Sequence, residues 1–432
     1  MRLMIISNLY PPRGLGGYEI AAQDVAYGLA ARGHEVRVLT SPMEGERPAH
    51  DAHVHRILGL KTFGPVTDTT LSVSRFLHYE AAVSQVDNSL ILLGELREFA
   101  PDHVMAFNLV GLGGIGLIDV LRQTGTSWSL NLGDAVPLGL TKGLDQRILD
   151  VFGVDSTSWF KDIPFVSVSS LLIDEIEAGG VRLGPDRLLM PRGVDAPPLP
   201  ASHAIAALRR PDGITRFVFT GSLHENKGVD IMLQAVAAVH KRFPDIVVDI
   251  FGRGEDEKYR TMAAELGVGG LAIFHGYVDR STIFTALSKA EAFLFPTWER
   301  EPLGQAPLQA AAMGCVPIIT AQAGVAEWLS DGAHCIKIDR TSSALVSAMT
   351  AILTGEIDGR ALGARASRHV RGALSNRNYL SALARFIDQA VAVHLRSIGR
   401  TPSSRNATEI IARDARAQTV LHTVLRENEG YS

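Results

Sequence analysis

The chain has 432 residues, of which 46% are hydrophobic, 6% aromatic and 20% charged, with a formal net charge of −4. That apolar fraction excludes a disordered or low-complexity chain, and the near-balanced charge gives no electrostatic footprint for nucleic acid. Two cysteines exclude a disulfide framework and a four-cysteine zinc site, and fit a reducing, cytoplasmic compartment.

The length fits two domains of about 200 residues each. The opening apolar run, Leu3 to Ile6, is too short for the core of a signal peptide and reads as a buried strand. The longest apolar stretch, Val104 to Leu121, contains Asn108, Asp119 and four glycines. A bilayer-spanning helix needs about 20 mostly apolar residues, so the expected membrane role is at most peripheral, at the inner face of the plasma membrane.

In chain order, LMII predicts a strand, YEIAAQDVAYGLAARG a helix with apolar residues at helical spacing, and EVRVLTS and AHVHRIL two further strands. A helix over Ala81–Phe99, the strand HVMAF, a helix near Gly116–Thr124 and the strand SWSLNL follow, and PFVSVS and RLLMPRG close this half. This alternation predicts a parallel, doubly wound sheet over residues 1–196. Residues 197–213 fall in a proline-rich stretch and read as a linker. A second series occupies 214–378: TRFVFTGSL, VDIMLQAVAAVHKRF, IVVDIFGRG, YRTMAAELG, LAIFHGYV, STIFTALSKA, AFLFPT, PLGQAPLQAAAMG and VPIITA. Residues 379–396 form an amphipathic helix with Leu380, Leu383, Ile387, Val391 and Leu395 on one face, and 397–432 form a helical tail of nearly balanced charge. The fold class is therefore α/β, with two Rossmann-like domains and a ligand cleft expected between them.

Three segments carry candidate chemistry. The first is the loop PPRGLGGYE after the first strand, where Gly14, Gly16 and Gly17 feed a helix N-terminus. Backbone N–H groups there can approach a phosphate or sugar. Glu19 stands where a dinucleotide fingerprint needs its third glycine, so a nicotinamide cofactor is disfavoured. The second is GSLHENKG, residues 221–228: Gly221 frees the backbone and Lys227 reaches toward an anion from the start of the next helix. The third runs from Thr297 to Asp331 and opens TWEREPLGQAPLQAAAMGCVP, where Glu301 precedes a Pro302-Leu303-Gly304 turn into a small-residue helix over Gln309–Met313. Gly324 and Glu327 follow the next strand in the same manner. Each carboxylate also has a plain structural reading, as a charge favourable to a helix N-terminus.

Other constellations are weaker. No two aspartates lie two residues apart, which removes a D-x-D metal site. His53 and His55 point to one face of a strand, where a solvated surface outweighs a two-ligand metal site. Cys315 and Cys335 read as buried apolar fillers, and no P-loop lysine or G-x-S-x-G motif is present.

The order and spacing of YPPRGLGG, PRGVD, GSLHENKG, FGRGED, FHGYV, FPTWEREPLG, AAMGCVP and the Gly324/Glu327 pair resemble glycosyltransferase family 4, over roughly residues 1–396. These are retaining, nucleotide-sugar-dependent enzymes of the GT-B fold. The resemblance implies a C-terminal donor domain and an N-terminal acceptor domain facing it across a cleft, with the helix at 379–396 crossing back to the N-terminal domain. It places Gly221, Ser222, Lys227, Gly252, Gly254, Glu301, Leu303, Gly304, Gln309 and Glu327 on the donor, and Gly16, Gly17 and Asn108 in the acceptor or phosphate loop. Glu301, Lys227 and Asp134 are the implied catalytic set. It implies no resident cofactor and no metal, with a nucleoside-diphosphate sugar as co-substrate and a glycan, lipid-linked glycan or small-molecule hydroxyl as acceptor.

Three positions depart from the family pattern. Gln309 stands for the second glutamate of the Glu-to-Glu spacing, Ser222 stands for an arginine that grips the diphosphate, and Phe107-Asn108 and Gly133-Asp134 offer no histidine. His103 lies too early on its strand to substitute. The expected activity is hexosyl transfer with retention, in bacterial cell-envelope polysaccharide or glycoconjugate synthesis. The alternative is a non-catalytic GT-B relative that binds a sugar nucleotide or a partner subunit, with the tail as a docking element.

Overall fold

A computed structural model describes residues 1–13, 16–43, 51–61, 79–141, 144–155, 157–199, 212–397 and 407–429. Most of the predicted linker, and the tail residues 398–406, lie outside the described residues, as does Gly14. The chain divides into two compact units. Unit 1 comprises Met1–Ser167, Leu172–Met190 and Leu380–Ser432, and unit 2 comprises Val168–Leu171 and Pro191–Tyr379.

Unit 1 is built on a seven-stranded sheet. Its elements are β1 (Arg2–Ile6), α1 (Gly17–Ala30), β2 (Glu35–Thr40), β3 (Val54–Arg56), α2 (Val86–Phe99), β4 (His103–Ala106), α3 (Gly114–Thr124), β5 (Trp128–Leu132), α4 (Val136–Thr141), α5 (Gln146–Val151), β6 (Phe165–Ser167), α6 (Ser170–Ala178) and β7 (Arg187–Leu189). The strand order is β3-β2-β1-β4-β5-β6-β7, and all pairings are parallel. The continuous apolar runs follow from this, because a parallel strand is covered on both faces: Leu3, Met4, Ile5 and Ile6 are all fully buried.

His103 opens β4, fully buried, with Nδ1 2.9 Å from Ser127 Oγ and Nε2 2.9 Å from Ser129 Oγ. Burial, reinforced by His394, pushes its pKa down to about 3, so the ring is neutral. It is a satisfied core residue.

The predicted helix over Ala81–Phe99 is broken. A helical turn ends by Val83, and α2 starts at Val86. The loop after β4 inserts at the break: Gly111 and Gly113 donate to the Ala81 carbonyl at 2.9 and 3.0 Å, and Gly116 donates to Val83 at 2.6 Å. Those carbonyls are used from outside the helix, so the helix cannot continue through them.

Unit 2 carries β8 (Thr215–Thr220), α7 (Val229–His240), β9 (Ile246–Phe251), α8 (Asp256–Glu265), β10 (Ala272–Gly276), α9 (Arg280–Lys289), β11 (Ala292–Phe295), α10 (Gln305–Ala312), β12 (Val316–Thr320), β13 (Ile336–Ile338), α11 (Ser342–Thr354) and α12 (Gly359–Gly372). Its six parallel strands run in the order β10-β9-β8-β11-β12-β13. The order reverses between β8 and β11, which is where an open α/β sheet binds its ligand, at the carboxyl ends of the strands. Phe217, Phe219, Met232, Leu233, Val248 and Leu294 are among the residues of its core.

Two long helices close the chain: α13 (Asn376–Ser397), counted with unit 1 from Leu380 onward, and α14 (Ala407–Glu429). On α13, Leu380, Leu383 and Ile387 are buried, but Leu395 is 65% exposed. The buried stripe drifts instead to His394, whose Nε2 lies 2.7 Å from the Gly125 carbonyl. The tail helix α14 is packed within unit 1 against α2 and α5. Arg413 pairs with Asp119 at 2.6 Å, and the Tyr79 hydroxyl donates to Asp414 at 3.0 Å. Within α14, its own Ala417, Leu421, Val424 and Leu425 are buried.

Candidate donor site and the residues around it

Four loops of unit 2, following β8, β9, β11 and β12, gather most of the expected donor residues. The first two are zipped together. The Gly221 N–H donates to Phe251 at 3.0 Å, Leu223 donates to Arg253 at 2.9 Å, and Glu255 donates back to Leu223 at 2.9 Å. The approach is so close that a Cβ on Gly252 would lie 1.8 Å from the Gly221 carbonyl oxygen, so only glycine fits there. Gly254 continues this pairing as a bridge to Leu223. Ser222 is exposed between them.

Beyond Ser222 the chain makes a single 3-10 turn, Glu225–Lys227, then α7. Lys227 Nζ forms an ion pair with Glu301 Oε2, and the side chains are only 22% and 12% exposed. Thr297 Oγ1 donates to the same Glu301 oxygen at 3.3 Å. The turn is braced by residues that no motif singled out. Trp298 N–H donates to the Asn226 carbonyl at 2.7 Å, and Arg340 Nη2 donates to the Glu225 carbonyl at 2.7 Å. Asn226 Oδ1 and Trp298 Nε1 are buried with no partner among the described residues.

Glu301 lies in the loop between β11 and α10. That helix begins at Gln305 with Gly304 as its N-cap, earlier than the predicted start at Gln309. Leu303 is buried and Gly304 turns the chain into the helix. Gln309 is half-buried inside the helix. The loop after β12 stacks on this turn: Gly324 N–H donates to the Glu301 carbonyl at 2.9 Å, and a Cβ on Gly324 would lie 1.9 Å from the Pro302 carbonyl oxygen.

The carboxylate of Glu327, expected on the donor, accepts the N–H groups of Ser170 and Leu171, at 2.8 and 2.9 Å. Both partners are counted with unit 2 and begin α6. A carboxylate satisfying free N–H groups at a helix start is a cap. Trp328 Nε1 donates to the Val168 carbonyl at 2.9 Å, alongside it.

The expected acceptor residues lie in unit 1. Gly16 is the N-cap of α1 and Gly17 its first residue. Glu19 lies in the first turn, buried, and its Oε2 would be 2.5 Å from a Cβ on Gly16. Asn108, after β4, turns its loop by accepting the Val110 N–H on Oδ1 at 3.1 Å. Asp134, after β5, is exposed and accepts the Ala135 N–H at 2.8 Å. Both lie just beyond the carboxyl ends of their strands.

His53 and His55 do not form a site. His55 Nδ1 lies 2.8 Å from Glu95, which Arg37 also holds, and His53 packs edge-on against Tyr27. Both cysteines are buried thiols outside any disulfide, and burial pushes the Cys335 thiol up to about 12. Among the described residues no helix is long and apolar enough to cross a membrane, and no group of three or more His, Cys, Asp or Glu could hold a metal ion.

Residues 214–355, from β8 through the end of α11, match the family model described as glycosyl transferases group 1. The chain is 26% identical to a glycogen synthase of Mycobacterium tuberculosis over 334 residues, covering 75% of this chain and 78% of that protein. It is 30% identical to a phosphatidyl-myo-inositol mannosyltransferase of Mycolicibacterium smegmatis over 195 residues, 44% of this chain and 48% of that one. A solved structure of Alr3699/HepE from Anabaena, in complex with UDP, aligns over 90% of this chain and 100% of its own at TM-score 0.69 and 13% identity. The two Rossmann-like α/β units are those of the GT-B fold.

Proposed function

We propose that this chain, which the family match and the relatives support as a glycosyltransferase, moves a hexosyl unit from a nucleoside-diphosphate sugar to a hydroxyl acceptor with retention at the anomeric carbon. The observation that carries the reading is the Lys227–Glu301 pair, at the strand ends where the order of the unit 2 sheet reverses. A cation and a carboxylate side by side suit a ligand with an anionic diphosphate and a polyhydroxyl sugar. The UDP held by the Anabaena protein is a ligand of this class.

In this reading the Gly221–Gly228 loop and the Gly252–Gly254 loop receive the diphosphate, with Lys227 donating to its oxygens. Glu301 accepts hydrogen bonds from donor-sugar hydroxyls, and Gln309 hydrogen-bonds the ribose. The bond from the anomeric carbon to the leaving phosphate oxygen breaks while the bond to the acceptor oxygen forms on the same face. The acceptor proton passes to the leaving diphosphate, so no protein base is required. Asn108 and Asp134, with Gly16 and Gly17 at the start of α1, are the candidate acceptor residues within unit 1. The protein's contribution is charge neutralisation and orientation, supplied by side chains and N–H groups without a metal ion.

A glycan or lipid-linked envelope acceptor fits the relatives, one named for glycogen and one for a phosphatidylinositol substrate. In this reading the chain works in the cytoplasm, peripheral at the inner face of the plasma membrane. The test is a transfer assay with a panel of sugar nucleotides in excess chelator, the product's anomeric configuration being read by NMR. Transfer with the donor's configuration kept supports the reading. An inverted product overturns retention, and dependence on added metal overturns the metal-free site. Binding without transfer to any acceptor favours the non-catalytic alternative.

A further inference from the structure

Lys227 and Glu301 cancel each other's charge. A diphosphate is multiply charged, so a site that holds one needs a further cation. We infer that Arg253 is that cation, a donor-binding residue whose guanidinium reaches the diphosphate from the loop after β9. The inference rests on the nucleotide-sugar reading above.

The strand register places it. β8 and β9 pair in parallel up to Thr220 opposite Phe251. The pairing runs on past both strand ends, through Gly221 N–H to Phe251 at 3.0 Å and Leu223 N–H to Arg253 at 2.9 Å, to the bridge between Leu223 and Gly254. That unbroken register sets Arg253 beside Ser222. Paired positions on neighbouring strands stand about 4.8 Å apart with side chains on the same side. Ser222 is small and exposed, and leaves the space to its longer neighbour.

The surrounding charges leave Arg253 available. Its guanidinium lies over the Tyr277 ring, 5.1 Å from the centroid, a contact that restrains the side chain without neutralising it. Nearby Lys258, by contrast, is paired with Glu255 at 2.9 Å. Asp256 accepts the Gly254 N–H at 3.0 Å, and Arg340 is committed to the Glu225 carbonyl. Glycines on either side of Arg253 let its backbone lie against the first loop.

The experiment is calorimetric titration of the full chain with UDP, GDP, ADP, CDP and dTDP and with the matching nucleosides, at two salt concentrations. For the diphosphate that binds, Arg253→Gln weakens affinity about tenfold, the scale of a lost charge-assisted hydrogen bond. Binding of the nucleoside stays within about twofold, and salt dependence falls. Because the register sets positions 222 and 253 side by side, Ser222→Arg in the Arg253→Gln background recovers affinity to within about threefold. Arg253→Gln binding the diphosphate as tightly as the unaltered chain overturns this inference alone. An unaltered chain that binds none of the diphosphates overturns the nucleotide-sugar reading and this inference with it.

Discussion

Lys227 and Glu301, 74 residues apart in sequence, meet as an ion pair between the loops that follow β8 and β11. Both side chains are largely shielded from water, and Thr297 holds the carboxylate from a second side. If this pair is the centre of the donor site, Glu301→Gln lowers kcat by about 10²–10³ while the fold is kept, the scale seen when one preorganised electrostatic contact is removed. Lys227→Ala instead weakens the nucleoside diphosphate. Steady-state kinetics and calorimetry separate the two effects.

Glu327 behaves differently. It caps α6 through Ser170 and Leu171, so Glu327→Gln costs about 1 kcal/mol of stability, as expected for a lost helix cap. Diphosphate affinity stays within about twofold. Chemical denaturation together with titration checks both, and a large loss of affinity with unchanged stability would return Glu327 to the donor.

The tail helix is held by Arg413 and Asp119, 13% and 9% exposed. Removing one partner of a buried pair leaves an uncompensated charge. Arg413→Ala therefore destabilises unit 1 by about 3 kcal/mol, seen as a lower melting temperature. Arg413→Met with Asp119→Leu recovers most of the loss, because both charges are then gone.

His103 sets an acid limit. Its folded pKa is depressed to about 3 by burial and by His394, against about 6.5 in an unfolded chain. Between those values the unfolded chain binds the extra proton, so stability falls as pH drops below about 6.5 and is unaffected above it. From well above pH 6.5 down to pH 5 the loss is about 2 kcal/mol. Urea midpoints measured across this range fall less steeply for His103→Gln than for the unaltered chain.

The alternation of elements was legible in the sequence because parallel strands are covered on both faces and read as unbroken apolar runs, as Leu3–Ile6 does. The glycine loops were legible too, because backbone approach restricts residue choice, as at Gly252. What the sequence hid depended on distant partners. The break before Val86 arises from N–H groups of the loop after β4. Glu327 finds its partner 157 residues earlier. Arg253 becomes a neighbour of Ser222 only through the register of two strands. The phase error on α13, where His394 rather than Leu395 faces inward, reflects a stripe that continues through a polar residue with its own acceptor.

The central claim is a nucleoside-diphosphate site in unit 2 centred on Lys227. The most direct measurement is the melting temperature of the full chain and of Lys227→Ala with each nucleoside diphosphate in chelator. A ligand at about 100 times its Kd adds about 2.7 kcal/mol of stability. The account predicts that one nucleotide raises the melting temperature of the unaltered chain and that the shift largely disappears in Lys227→Ala. No shift with any nucleotide, or an equal shift in both proteins, would contradict it.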